Sequence, residues 1–125
     1  MADEISVSLN LAVNNGNHVE SFAASGKVTQ AASGGFSQVL TVATATQTLS
    51  LGAVTTAGFA AFRNLNTATS GTAYVTLGAY DGTTLQEFAK LARGESAVVR
   101  LLPTITLGAK SYGSAQRIRY ICLQD

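Results

Sequence analysis

Apolar and polar side chains alternate with a period of two along most of this 125-residue chain, in short runs that each stop at Gly, Asn, Asp or Ser. Side chains on an extended strand point to opposite faces in turn, so this rhythm admits strands and little else. The N-terminal run is the least broken. Ile5, Val7, Leu9, Leu11 and Val13 alternate with Ser6, Ser8, Asn10 and Ala12, the pattern of a half-buried strand. Asn14-Asn15-Gly16-Asn17 then favours a reversal before His18 to Ala24, and Ser25-Gly26 is expected to break the chain again.

The stretch from Gly58 to Leu102 has the densest punctuation. Ala73, Val75, Leu77 and Ala79 fall on one side of a strand, and Asp81-Gly82 supplies the positive φ values of a tight hairpin. Thr84 to Ala92 also fits a helical stripe through Leu85, Phe88, Ala89 and Ala92, but the preceding turn favours a returning strand. Arg93-Gly94-Glu95 gives a second reversal into Ser96 to Leu102, which ends at Pro103. These three strands are expected to form a meander whose apolar face needs a second layer. Phe59 to Leu65 has two apolar faces, as a central strand would, and Asn66 to Gly71 reads as a polar turn. Ile105 and Leu107 form a short strand before Gly108, Ser111 to Ser114 a loop, and Arg117 to Gln124 the last strand. The fold class that follows is all-β: one antiparallel β-sandwich domain over residues 1–125, jelly-roll-like. Residues 1–13 serve either as its first strand or as an N-terminal arm that adds to a neighbour's sheet edge. Ile5, Val7, Leu9, Leu11 and Val13 are therefore the candidate partner contacts.

Charge narrows the function. Only 12% of residues are charged, about half the usual share, so the surface is either neutral Thr, Ser and Ala or covered by partners. A net charge of +1 and scattered basic residues give no footprint for nucleic acid. Arg117 and Arg119 share one side of the last strand, which reads as a solvated or ion-paired face. No run approaches the length of a membrane helix. MADEISVSLN is acidic where a secretory signal is basic, so manufacture and assembly in a reducing cytoplasm are expected.

The residues for chemistry do not converge. His18 stands beside the Asn-rich turn, and Asp3, Glu4, Glu20, Asp81, Glu87, Glu95 and Asp125 follow no recognisable motif. Cys122, the only cysteine, lies in the apolar run Tyr120 to Leu123 and reads as a packed thiol. The glycines read as turn residues, with no Lys and Ser/Thr following as in a phosphate loop. No catalytic residue, metal ligand or cofactor is expected, and the chain is read as not an enzyme. Tyr74, Tyr80, Tyr112 and Tyr120 leave a sugar-binding sandwich open as an alternative, though tyrosines in sheets usually cover a core edge.

Ser50-Leu51-Gly52, Phe62-Arg63-Asn64-Leu65, Tyr74-Val75-Thr76-Leu77-Gly78, Lys90-Leu91-Ala92-Arg93-Gly94-Glu95 and the closing Tyr120-Ile121-Cys122-Leu123 occur in an order that resembles small all-β virion proteins of tailed bacteriophages. The resemblance implies a virion component. Within that group it points to a capsid decoration (cement) protein on the outside of the shell, with the major capsid protein and copies of itself, as a homotrimer, for partners. A tail, neck or fibre-base position is the alternative.

Overall fold

The computed structural model describes residues 5–67 and 72–125. Asp3, Glu4 and the end of the polar turn expected at 66–71 lie outside those residues. The described residues form ten strands and no helix: β1 Ile5–Asn15, β2 His18–Val28, β3 Gly35–Val42, β4 Gln47–Thr48, β5 Ala57–Asn64, β6 Tyr74–Tyr80, β7 Leu85–Ala92, β8 Ser96–Arg100, β9 Leu107–Tyr112 and β10 Gln116–Gln124. The chain divides into two compact units, residues 1–32 and 33–125.

The first unit is a ribbon in which β1 pairs antiparallel with β2 and, among the described residues, with no other strand. Gly16, at φ 58°, takes the left-handed conformation in the two-residue connection, which sets Asn15 opposite His18 and the whole register behind it. The break expected at Ser25-Gly26 does not occur. Gly26 lies opposite Val7 within the ladder, and β2 runs on to Val28.

The second unit is an antiparallel sandwich of two four-stranded sheets, ordered β3-β10-β5-β8 and β4-β9-β6-β7. Each step along the chain changes sheet except the β6-β7 hairpin, which is the strand order of a jelly roll. Inward side chains of both sheets share one core: Val42, Phe62, Ile118, Tyr120 and Cys122 from the first, Val75, Leu77, Leu91, Leu107 and Ala109 from the second. The Asp81-Gly82 hairpin forms as read. The Asp81 carboxylate accepts from the Thr84 and Thr83 N–H groups at 2.7 and 2.8 Å, and these bonds hold its pKa below the usual carboxylate value.

The expected meander does not form, because β8 leaves β7 and pairs with β5 in the opposite sheet. The cause lies at Asn64. Its N–H donates to the Glu95 carbonyl at 2.9 Å, and its carbonyl accepts from the Gly94 N–H at 3.1 Å, so the turn after β7 is tied to the end of β5. The buried Asn64 amide also donates to the Leu91 carbonyl and to Gln116 Oε1, both at 3.2 Å. A buried polar group is stable only with such partners, so this one position fixes where three segments meet. Ser111, expected in a loop, is likewise buried in β9, where its hydroxyl donates to the Val42 carbonyl at 2.8 Å.

Two glycines permit close approach of neighbouring strands. At Gly78, where the β6-β7 register shifts, an added Cβ would lie 2.2 Å from the Gln86 carbonyl oxygen. At Gly108 it would lie 2.6 Å from Tyr80 Cβ. Gly78→Ala is expected to destabilise the sandwich by about 1–3 kcal/mol through overpacking, measured by urea denaturation. Gly26→Ala, which meets nothing within 4 Å, is the control and leaves that transition in place; equal midpoints for the two variants contradict the close-approach account.

Candidate functional site

Residues opposite one another across the ribbon share a face, so its register sorts the side chains. One face carries Ile5, Val7, Leu9, Leu11 and Val13, opposite Val28, Gly26, Ala24, Phe22 and Glu20 respectively. The other face sets Ser6 opposite Lys27, Ser8 opposite Ser25, Asn10 opposite Ala23, Ala12 opposite Ser21 and Asn14 opposite Val19. The first face is thus continuously apolar from its base to Leu11 and Phe22, with a single carboxylate at its far end. Leu11 is 71% and Phe22 60% exposed, and Leu9 and Val13 are also open to solvent.

All five sequence candidates lie together on this face. The alternation within β1 does not by itself reveal Phe22, Ala24 and Val28, which share the face. The signal for them was present in the Gly16-Asn17 turn, because a two-residue connection that pairs Asn15 with His18 also places Phe22 opposite Leu11. An isolated two-stranded ribbon is at best marginally stable in water and gains stability from a further strand or a packing layer. Large contiguous apolar patches on a protein surface are a recurrent feature of interaction sites.

The other candidate groups do not assemble. His18 sits exposed at the ribbon tip with Nε2 3.3 Å from Glu20. Among the described residues, no three His, Cys, Asp or Glu side chains are placed to hold a metal ion. Cys122 is buried and free, and burial pushes its thiol pKa up, away from the reactive thiolate. Tyr120 is buried beneath Phe62 and Phe36, with its hydroxyl donating to the Ser50 carbonyl at 2.6 Å. Tyr74 and Tyr112 stack on each other with centroids 4.9 Å apart. Lys90 lies over the first ring at 4.4 Å and Lys110 over the second at 4.8 Å. These two rings are thus engaged with each other and with the lysines, and the Tyr80 hydroxyl donates to the Gly82 carbonyl at 3.1 Å. Arg93-Gly94-Glu95 is a turn that carries the chain from β7 to β8 in the opposite sheet, not the hairpin expected, with Gly94 at φ 81° and Glu95 Oε1 accepting from the Ala92 N–H at 2.6 Å.

One charged feature stands out on the outer face of the β3-β10-β5-β8 sheet. Arg63 of β5 lies directly opposite Arg119 of β10, and Arg117 is two residues along the same strand. All three are exposed, and none forms a salt bridge among the described residues, whereas Arg100 bonds Asp125 at 2.7 Å. Like charges directly opposite each other in a sheet are destabilising. Arg119→Gln is therefore expected to raise stability by about 0.2–1 kcal/mol at low salt, with the gain fading in molar salt as the repulsion is screened. A loss of stability in thermal melts at low salt would contradict the assignment.

No protein-family model matches the chain, and no curated protein matches it. Among solved structures, the chain is similar to one from work described as "Bacillus endospore appendages form a novel family of disulfide-linked pili". The match has 13% sequence identity and a TM-score of 0.44, and covers 75% of this chain and 88% of that one.

Proposed function

We propose that the protein is a non-enzymatic structural component of a virion, a decoration protein that binds the outer surface of a capsid and joins neighbouring major capsid subunits and copies of itself. The observation that carries this reading is the exposed apolar face of the ribbon, centred on Leu11 and Phe22. The low charge content and the ordered motifs that resemble phage virion proteins support the same reading. A jelly-roll sandwich is a suitable body for such a role, since its core is closed and its function can reside in what is attached to it.

Decoration works by multivalency. Each ribbon contributes a modest apolar contact, and many copies on one shell make the sum resistant to outward pressure without any single tight site. Burying a Leu or Phe side chain contributes about 1.5–3 kcal/mol, and every 1.4 kcal/mol is about tenfold in affinity.

Leu11→Ser combined with Phe22→Ser is thus expected to weaken co-sedimentation with undecorated shells by about a hundredfold or more. The same double variant keeps the urea midpoint of the sandwich, because exposed substitutions away from the core change stability by about 0.5 kcal/mol or less. Undiminished shell binding rejects the ribbon as the contact. Copy number on purified particles separates a decoration protein, present all over the shell, from a neck or fibre-base protein, present in a few copies at one vertex.

A further inference from the structure

The edge of a sheet is a row of backbone N–H and C=O groups ready to pair with another strand, and natural proteins block such edges by shortness, charge, bulges or proline. The sandwich has four: β3 and β8 in one sheet, β4 and β7 in the other. Three are blocked, each differently. β4 has two residues. β7 bears Glu87 and Lys90 and is kinked where its register with β6 shifts, leaving Phe88 without a partner. β8 has five residues and ends at Arg100, with Pro103 just beyond.

β3 has none of these devices. Its eight residues, Gly35–Val42, include no charge and no proline, and they pair without a bulge along β10 from Leu123 opposite Gly35 to Gln116 opposite Val42. Ser37, Val39 and Thr41 lie on the outer face, with Val39 47% exposed.

We propose that β3 of one copy pairs antiparallel with β3 of a second copy about a two-fold axis at Val39, fusing their sheets into one. The sequence of the strand selects a second copy as the occupant. With Val39 on the axis, Ser37 of each copy meets Thr41 of the other, Val39 meets its own equivalent, and Gln38 meets Leu40. Thr-Ser and β-branched pairs are favourable cross-strand neighbours, and no like charges are brought together. Such a contact is isologous, the same patch on both subunits. It uses a sandwich edge and none of the ribbon's residues, and it does not depend on shell binding.

Cysteine cross-linking in the full-length chain tests the register. Directly opposite residues in an antiparallel pair have Cα atoms about 4.5–5.5 Å apart, within disulfide reach. Val39→Cys is therefore expected to give a disulfide-linked dimer on a non-reducing gel, with the native Cys122 silent because it is buried. Thr41→Cys is expected to give none, since two copies of that position lie about 14 Å apart at ~3.4 Å per residue. Adding Ser37→Cys to Thr41→Cys restores the cross-link. Independently, Val39→Lys with Thr41→Lys is expected to halve the mass measured by sedimentation velocity while leaving the thermal melt of the sandwich in place. The pairing is overturned by a mass that the lysines do not change, by a single-copy mass for the unsubstituted chain, or by Thr41→Cys cross-linking as readily as Val39→Cys.

Discussion

A β-sheet with one apolar face is stable when a second layer covers that face, and the two units of this chain meet the requirement differently. In the sandwich, the β3-β10-β5-β8 and β4-β9-β6-β7 sheets cover each other. The ribbon of β1 and β2 has no second sheet of its own, and Leu11 and Phe22 on its apolar face are largely in water. That uncovered layer is the basis of the functional reading. On the proposed reading, a partner supplies the layer that the ribbon lacks.

The sandwich is built to be closed. Its buried polar residues Asn64, Thr76, Ser111 and Gln116 are hydrogen-bonded, and Asn64, Gln116 and Ser111 tie β5, β7, β9 and β10 together at one end. A satisfied network of this kind specifies a single arrangement, because each member loses its partner if a strand slips. The same network places the Arg93-Gly94-Glu95 turn against the end of β5, which sends the chain across to the other sheet and completes the jelly-roll order.

Much of this is legible in the residues, and the misses have a common cause. Local rules sufficed for β1, where alternation is unbroken, and for the Asp81-Gly82 turn, where backbone chemistry leaves few choices. They also favoured strand over helix for β7, since a tight hairpin returns a strand antiparallel to β6. They failed where a long-range bond decided. Nothing near Glu95 in the sequence announces that its carbonyl will accept from Asn64, so β8 was assigned to the wrong sheet. Gly26 and Gly108 were read as breaks because glycine often supplies a positive φ. Neither does here: Gly26 is an ordinary ladder position, and Gly108 makes room for Tyr80. The ribbon's apolar face was half legible, through β1 alone. Its other half needed the register that the Gly16 turn imposes.

Backbone hydrogen exchange over residues 5–28, compared between the free protein and the intact assembly, tests the central claim most directly. An uncovered two-stranded ribbon opens readily, so its amides exchange fast when the chain is alone. Packing against a partner protects them. Strong protection of β1 and β2 on assembly, with the already slow exchange of the core strands β5 and β10 little changed, is the predicted result. Ribbon amides that exchange equally fast in both states would show that no partner covers the face, and would contradict the account.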